Sequence, residues 1–256
     1  DNLKELFRPG HADYTFFKKY GIRDHRGGGR SSGRETIGRV ASGAFAKDIL
    51  NKMGITVVAY SLQIGEIAAK KIDYEAIEKN SVRCCDLDAA VEMEKLIVKQ
   101  KNSLDSIGGI VGLEIKGLKA GVGDPVFGKL SSRLASALFT IGSVKGLEFG
   151  LGFEFAKLSG SVSNDPMSDG GFKSNRAGGI LGGISTGEDI IIRLAVKPTP
   201  SISLPQETID KSGENVTVEI KGRHDPCVLP RIIPVVESMA SLVILDALEI
   251  QDKLKG

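Results

Sequence analysis

Hydrophobic residues recur at helical spacing in four parts of the chain. The first, residues 31–52, predicts an amphipathic helix. Its apolar positions are Ile37, Val40, Ala41, Ala44, Phe45, Ile49 and Leu50. Ser32 followed by Glu35 forms a capping-box pattern, which predicts that this helix begins there. Further helices are predicted over residues 88–101, 125–141 and 234–255, and the last is apolar enough to pack on more than one side.

Between these helices, shorter apolar runs predict strands. They cover residues 55–67, 109–118, 144–149, 189–196 and 216–221, and several alternate polar and apolar positions. The order of helices and strands lacks the regular alternation of a doubly wound parallel sheet. The pattern therefore favours an α+β fold with mostly antiparallel sheets, formed by residues 1–256 as one domain.

Composition narrows the class of protein. Glycine provides 32 of 256 residues, more than the usual share of about 7%, which predicts many tight turns and close backbone approaches. We interpret the glycine-rich residues 177–187 as such an approach rather than a domain boundary. No run reaches the roughly 18 apolar residues that a transmembrane helix needs, so no membrane partner is expected.

Charge and cysteine content point to an ordinary cytoplasmic protein with a local anion site. The net charge is +2, which does not indicate a general nucleic-acid or membrane-surface binder. Residues 1–47, however, carry ten basic and five acidic side chains. Three cysteines, two of them adjacent, give neither a disulfide framework nor a metal-ligand spacing, and no signal peptide pattern is present. We expect a reducing, cytoplasmic location and no metal.

The glycine-rich segment RGGGRSSGRE, residues 26–35, runs into the first predicted helix. Free backbone N–H groups and the helix dipole would meet three arginines there, which suits a phosphate or a carboxylate. The segment is not a Walker loop, because GxxxxGK[ST] is absent. A flexible basic loop before an ordinary helix, or an RGG-type nucleic-acid contact, is the alternative interpretation.

Two histidine motifs are candidates for acid–base chemistry. In RHDPC, residues 223–227, His224 and Asp225 are suited to proton transfer and Arg223 to holding an anion. The alternative is a salt-bridged surface turn that ends at Pro226. In RPGHAD, residues 8–13, His11 follows Pro-Gly and by default would be a turn residue.

A third motif, GISTG at residues 183–187, formally matches the GxSxG nucleophile elbow around Ser185. Asp210 and His224 follow in the order that an α/β-hydrolase requires. An elbow needs a strand, a turn and a helix, whereas residues 189–192 predict a strand. Serine hydrolase chemistry is therefore kept only as a minor alternative, beside a basic-loop nucleic-acid binder.

Five segments in a fixed order are similar to the chorismate synthase family. They are RPGHAD, RGGGRSSGRE, NRAGG leading to Gly182 and Gly183, KPT at residues 197–199, and GRHDPC at residues 222–227. The resemblance extends over nearly the whole chain. Two positions depart from the family pattern, since Gly33 stands where alanine is usual and Leu151 where aspartate is common.

This resemblance implies a fold and a reaction. The expected fold is a β-α-β sandwich with helices between two mostly antiparallel sheets, assembled as a homotetramer. The expected activity is a lyase of the shikimate pathway and aromatic amino acid biosynthesis. It converts 5-enolpyruvylshikimate 3-phosphate to chorismate and phosphate by anti-1,4 elimination with reduced FMN. An external source of reduced FMN is expected, because no reductase domain is evident, and the family is also associated with NADP.

The resemblance also implies roles for individual residues. His11 would lie by the flavin and protonate it, and Asp225 would help to deprotonate flavin N5. Arg34 and Arg223 would hold anionic groups of substrate or FMN, and His11 would also contact the substrate. FMN contacts are expected from Ser32, Gly33, Arg34, Gly142, Ser143, Gly182, Lys197, Pro198, Thr199, Pro200, Ser201 and Arg223.

One part of the family pattern has no counterpart in this sequence. The N-terminal Gly-[Asp/Glu]-Ser-His-Gly motif, with a second catalytic histidine and substrate-binding arginines, is not found before RPGHAD. Residues 1–256 contain only His11, His25 and His224. On this basis a protein limited to these residues is expected to be inactive.

Overall fold

The computed structural model describes residues 3–26, 32–220, 222 and 224–255. Six α-helices lie within these residues. They are α1 (Asp13–Tyr20), α2 (Thr36–Lys52), α3 (Leu87–Asn102), α4 (Leu130–Phe139), α5 (Gly160–Ser163) and α6 (Leu229–Lys255). None of them is long and apolar enough to span a membrane.

Eleven strands are found in the described part of the chain. They are β1 (Thr56–Ile64), β2 (Ile67–Ala68), β3 (Gly109–Lys116), β4 (Val144–Phe149), β5 (Met167–Ser168), β6 (Gly171–Phe172), β7 (Ile180–Leu181), β8 (Ile184–Ser185), β9 (Ile190–Val196), β10 (Gln206–Ile209) and β11 (Asn215–Val218). Five of them form an antiparallel sheet in the order β2-β1-β3-β9-β4, and the others form three two-stranded ribbons. The α+β class with antiparallel sheets is thus confirmed.

The core lies between one face of the five-stranded sheet and the helices. Alternate residues of each central strand enter it, for example Val111, Leu113 and Ile115 of β3, all fully buried. Because side chains alternate across a strand, Glu114 and Tyr60 lie on the other face. That face carries a smaller cluster formed by Tyr60, Ile77 and Cys85. All three cysteines are buried and unpaired, as thiols with a structural role would be.

Helix α2 packs differently from the prediction. The residues that it buries are Gly43, Ala46 and Leu50, whereas Ile37, Phe45 and Ile49 of the expected core face are exposed. The reason is the close approach of α6, because a Cβ atom placed on Gly43 would lie 2.2 Å from Ser238 Cβ. Small residues allow this distance, so Gly43 and Ala46 form the packed face together with Leu50, the one large residue of the predicted set that is buried.

Two helices begin elsewhere than predicted, and one helix was not predicted. Helix α4 begins at Leu130, not at 125, and Phe127 of the predicted stripe is exposed. Val126 has a left-handed φ of 59°, which is incompatible with a helix. Helix α6 begins at Leu229, so Pro234 lies inside it, and it contacts α2, α4, β1 and β3, which confirms packing on several sides. Helix α1 was not predicted.

The predicted strands are confirmed with shorter bounds. The run over 55–67 is divided into β1 and β2 by a turn at Gly65, whose φ is 57°. The last predicted strand ends at Val218, and Lys221 lies outside the described residues. In the glycine-rich segment, a Cβ on Gly178 would lie 2.4 Å from the backbone nitrogen of Gly150. The interpretation of this segment as a close backbone approach is confirmed.

Candidate active site

Two segments far apart in sequence meet at His11. Its Nε2 atom lies 2.7 Å from the hydroxyl oxygen of Ser201, 190 residues further along the chain. Ser201 follows β9 in the loop 197–201 and is buried. The histidine expected to do acid–base work and part of the expected cofactor loop are therefore in direct contact.

The turn that carries His11 is fixed by a buried ion-pair cluster. The Asp13 carboxylate, 7% exposed, accepts hydrogen bonds from Arg8 Nε at 2.7 Å and Arg8 Nη2 at 2.9 Å. Arg23 Nη1 lies 3.3 Å from the same carboxylate. Burial raises the pKa of Asp13, but the hydrogen bonds and charge of Arg8 lower it by more, so the group stays ionised. In the sequence, Asp13 stands out only as the last residue of RPGHAD, so its anchoring role could not be predicted from the motif.

On the other side of His11, the loop 197–201 is bonded to the same turn. Lys197 Nζ donates to the Gly10 carbonyl at 2.7 Å, and the Lys197 N–H donates to the Ser143 carbonyl at 2.9 Å. Gly10 has a φ of 70°, and a Cβ there would lie 2.7 Å from Pro200 Cβ. Glycine is thus required at position 10 both by the backbone conformation and by the close approach of Pro200.

The predicted residues Gly142 and Ser143 lie in the turn between α4 and β4, next to Lys197. Ser143 has a left-handed φ of 74°, a conformation that is strained for a residue with a side chain and recurs at functional sites. A Cβ on Gly142 would meet no atom within 4 Å, so the space beside it is open. The turn thus leaves room beside the loop 197–201.

Ser32, Gly33 and Arg34 form a 3-10 turn before α2. One helical turn further, Arg39 Nη1 donates to Thr140 Oγ1 at 2.6 Å, which brings the start of α2 beside the turn that contains Gly142 and Ser143. A Cβ on Gly33 would meet nothing within 4 Å, so alanine would also fit there. Gly27–Ser31 of the glycine-rich segment lie outside the described residues.

The predicted reciprocal capping box is not formed. Ser32 Oγ accepts from the Arg34 N–H at 3.3 Å, but Glu35 does not reach back to Ser32. Its carboxylate pairs instead with Arg39 at 2.9 Å. An arginine four residues later competes for a glutamate at this position. The sequence pattern alone does not show whether Glu35 caps the helix or forms this ion pair.

The RHDPC segment is described in part. Arg223 lies outside the described residues. His224 is exposed, and the half-exposed Asp225 pairs with Arg231 of α6 at 3.1 Å. The segment is connected to the loop 197–201 through residues 106 and 107. The Ile107 N–H donates to the Pro226 carbonyl at 2.8 Å, and Ser106 Oγ donates to the Thr199 carbonyl at 2.6 Å.

The electrostatic environment of His11 favours an anionic ligand. Burial lowers the pKa of His11 to about 4, and the positive charges of Arg8, Lys197 and His224 contribute to this, against an opposite effect of Asp13. Burial also lowers the pKa of Lys197, and the nearby Lys145 lowers it further. Positive groups that raise each other's free energy in this way are stabilised by an anion placed among them.

Gly182 lies elsewhere. It is in the turn between β7 and β8, where the Leu130 N–H at the start of α4 donates to the Gly183 carbonyl at 2.8 Å. Gly142 follows the other end of α4, a ten-residue helix, so the two glycines are separated by about 15 Å of helix. Contacts between described residues bring the other described candidate residues together, but not Gly182.

The serine hydrolase alternative does not fit the geometry. Ser185 is buried, its hydroxyl donates to the Lys119 carbonyl at 2.7 Å, and it accepts from the Val122 N–H at 2.9 Å. The motif is followed by β9 and not by a helix. Asp210 is used to cap a surface turn through Ser212 and Glu214. Ser185 therefore has a structural role.

The residues at this site fit a bound cofactor. Thr199 Oγ1 is buried and has no hydrogen-bond partner among the described residues, which is costly unless a ligand satisfies it. Thr199 lies between Lys197 and Ser201 in the loop. Lys197 is bonded to Ser143, and the space beside the adjoining Gly142 is open. A hydroxyl, an ammonium group and a histidine beside open space suit a phosphorylated ligand such as FMN.

The fold is that of an α+β protein, and its loops bring His11, Ser201 and Lys197 together. A family model for chorismate synthase matches residues 1–248. This chain belongs to the chorismate synthase family, and the predicted class, a lyase of the shikimate pathway, is confirmed.

Individual relatives agree with the family model. The chain is 51% identical over 246 residues to chorismate synthase from Desulfatibacillum aliphaticivorans, covering 96% of this chain and 69% of the relative. It is 54% identical over 255 residues to chorismate synthase from Methanosarcina barkeri, covering 96% and 70%. A crystal structure of chorismate synthase is similar with a TM-score of 0.77 at 28% identity, covering 94% of this chain and 70% of that one.

Proposed function

We propose that this protein converts 5-enolpyruvylshikimate 3-phosphate to chorismate and phosphate by anti-1,4 elimination with reduced FMN. The observation that carries the proposal is the contact of His11 with Ser201 amid the positive charges of Arg8 and Lys197. A substrate with a phosphate and two carboxylates needs several fixed cations beside a group that transfers protons.

The candidate residues that lie together have tasks in this reaction. Lys197, Thr199 and Ser143 hold FMN, with Ser32, Gly33 and Arg34 at the start of α2 on the neighbouring side. Arg34 and Arg223 hold anionic groups of the substrate or of FMN. Reduced FMN, when bound, supplies electron density to the allylic position from which phosphate leaves.

His11 and Asp225 handle protons. His11 is uncharged at neutral pH without a ligand, because its pKa is lowered to about 4. A bound anion reverses part of that shift, so His11 takes up and returns a proton only when the site is filled. Asp225, which pairs with Arg231 at 3.1 Å, is the group that would help to deprotonate N5 of bound flavin.

The test compares two aspartates that each pair with an arginine. Asp225→Asn is expected to lower single-turnover elimination by about a hundredfold, the scale of losing one positioned acid–base group. Asp246→Asn is the matched control. Asp246 of α6 pairs with Arg133 of α4 at the surface, away from the site. Chorismate formation by the natural full-length protein is measured anaerobically in the presence of reduced FMN.

The outcomes separate clearly. Equal turnover in both variants would remove Asp225 from the mechanism, and elimination without reduced FMN would refute the proposed reaction. Arg34→Ala should weaken the binding of substrate or FMN by about ten- to hundredfold, the value of a charge-assisted contact. Unchanged affinity for both would reduce Arg34 to a surface charge.

We further propose a cytoplasmic homotetramer that receives reduced FMN from an external source. The exposed apolar residues of α2, Ile37, Phe45 and Ile49, support the existence of a further interface, because a soluble surface rarely leaves such a stripe uncovered. Light scattering of the natural protein tests the tetramer. A monomer at micromolar concentration would contradict it.

A further inference from the structure

The contact between His11 and Ser201 is a short hydrogen bond that involves a buried hydroxyl group. The ring nitrogen Nε2 and Ser201 Oγ are 2.7 Å apart, and Ser201 is 6% exposed. Among the described residues, Ser201 Oγ has no other hydrogen-bond partner, and neither has the second ring nitrogen of His11, Nδ1. The serine hydroxyl is therefore committed to the histidine.

Both partners are held in place by their own segments. The turn before His11 is bonded to the loop 197–201 through Lys197 and Gly10. From the other side, Ser106 Oγ donates to the Thr199 carbonyl at 2.6 Å, two residues before Ser201. Bonds that do not involve the ring therefore help to hold both partners, and the bond of Lys197 to Gly10 joins their two segments directly.

We propose that Ser201 is the positioning residue for His11, holding Nε2 so that the N–H at Nδ1 faces the bound anionic ligand and donates a hydrogen bond to it. This inference rests on the proposed function. It assigns to Ser201 an action on the histidine, in addition to its expected contact with FMN.

The chemistry of the two groups supports this assignment. A neutral imidazole carries one N–H and one acceptor nitrogen, and a hydroxyl can serve either of them. An anion among Arg8 and Lys197 needs a donor, so the ring should carry its proton on Nδ1 while Ser201 donates to Nε2. When the ring gains a second proton, the same hydroxyl turns and accepts from Nε2, so both protonation states keep their partner.

The experiment uses the small number of histidines. With ¹⁵N-labelled histidine, residues 1–256 contribute the ring signals of His11, His25 and His224, and His11→Gln identifies the signal of His11. In the ligand-free protein at neutral pH, we expect His11 to show one dominant tautomer with the proton on Nδ1. Ser201→Ala should shift both ring nitrogens toward the averaged values of an exchanging imidazole, and Ser201→Thr, which keeps the hydroxyl, should restore them.

Ser106→Ala is the matched control, because it removes a hydroxyl bonded to the same loop without touching His11. It should leave the His11 tautomer unchanged. Binding of reduced FMN, measured anaerobically, should weaken about tenfold in Ser201→Ala, as expected for one hydrogen bond. Ser201→Thr should recover most of that loss.

Two results would overturn the inference. They are a wild-type His11 protonated on Nε2, and His11 signals that change no more in Ser201→Ala than in Ser106→Ala. A third result separates the two proposals. If the tautomer depends on Ser201 as expected but reduced FMN does not bind, the positioning role is upheld and the proposed function fails.

Discussion

The sheet core and the candidate site are held together in different ways. The core is formed by apolar side chains of β1, β3 and β9 against α2, α4 and α6, many of them fully buried. The site has few apolar contacts and depends on single polar bonds between distant segments, such as His11 with Ser201 and Lys197 with Gly10. The stability of the core is spread over many packing contacts, whereas each polar bond at the site joins a single pair of groups.

Substitutions in these two regions should therefore affect different properties of the protein. A change in the core should lower stability without altering the chemistry of the molecules that stay folded. A change at the site should alter binding or proton transfer at a smaller cost in stability. Four substitutions or conditions test this separation.

The largest effect is expected from Leu194→Ala in β9. Leu194 is fully buried in the sheet core, and its truncation should lower the free energy of unfolding by about 3–4 kcal/mol through lost burial and a cavity. Urea unfolding measures the loss, and Leu181→Ala at a half-exposed position should cost less than about 0.5 kcal/mol. The affinity of the folded molecules for reduced FMN should not change. A large change in this affinity would show that the core and the site depend on each other.

The second effect is expected from Asp13→Asn. This change leaves Arg23, whose side chain is 3% exposed, without its ionised partner, and should cost about 2–3 kcal/mol. It should also weaken FMN binding, because the turn that carries His11 loses its anchor to Arg8. Asp48→Asn removes only an exposed pair with Lys52 and serves as control. Equal stability of the two variants would contradict the structural role of Asp13.

The sheet was predictable because its signal is periodic. Alternating apolar residues marked β3, β4 and β9 within one to two residues, and the leucines at positions 130, 134 and 138 marked α4. Helix α1 was missed, because most of its residues are aromatic or charged and only Asp13 is buried. The packed face of α2 was predicted only in part: Leu50 is buried as expected, but Ile37, Phe45 and Ile49 are exposed. The burial of Gly43 follows from the approach of α6 and not from local hydrophobicity.

The candidate residues were found through motifs, but their arrangement was not. The pairing of His11 with Ser201 has no local signal, because these residues are 190 positions apart and come together only through the tertiary fold. One signal could have indicated this contact. Pro-Gly before His11 predicts a turn with positive φ, and such a turn in a cation-rich segment is suited to close contact with another loop.

The third effect is a pH dependence from His11. Its pKa is lowered to about 4 in the folded protein, against about 6.5 when unfolded. Between these values the unfolded chain binds more protons, so the free energy of unfolding should fall as the pH drops from 6.5 toward 4. Because the ring is partly screened by solvent, we expect the free energy of unfolding to fall by about 1–2 kcal/mol. Urea unfolding at pH 7 and pH 5 should show a smaller difference for His11→Gln, and an equal difference would exclude His11 as the cause.

The smallest effect on stability is expected from Ser32→Ala at the start of α2. The Ser32 hydroxyl accepts one long bond of 3.3 Å from the Arg34 N–H in an exposed turn, so its loss should cost about 0.5 kcal/mol, the lower end for a helix cap. Ser103→Ala, at the exposed end of α3, should cost a similar amount and provides the control.

The two serines should differ in ligand binding. Because Arg39 and Thr140 bring the start of α2 beside Gly142 and Ser143, Ser32→Ala should weaken reduced FMN binding by about three- to tenfold, the range of one neutral hydrogen bond. Ser103→Ala should leave it unchanged. A stability loss above about 1.5 kcal/mol would mean that Ser32 does form the reciprocal capping box with Glu35. An unchanged FMN affinity would separate the start of α2 from the site and confine the cofactor to the loops around His11.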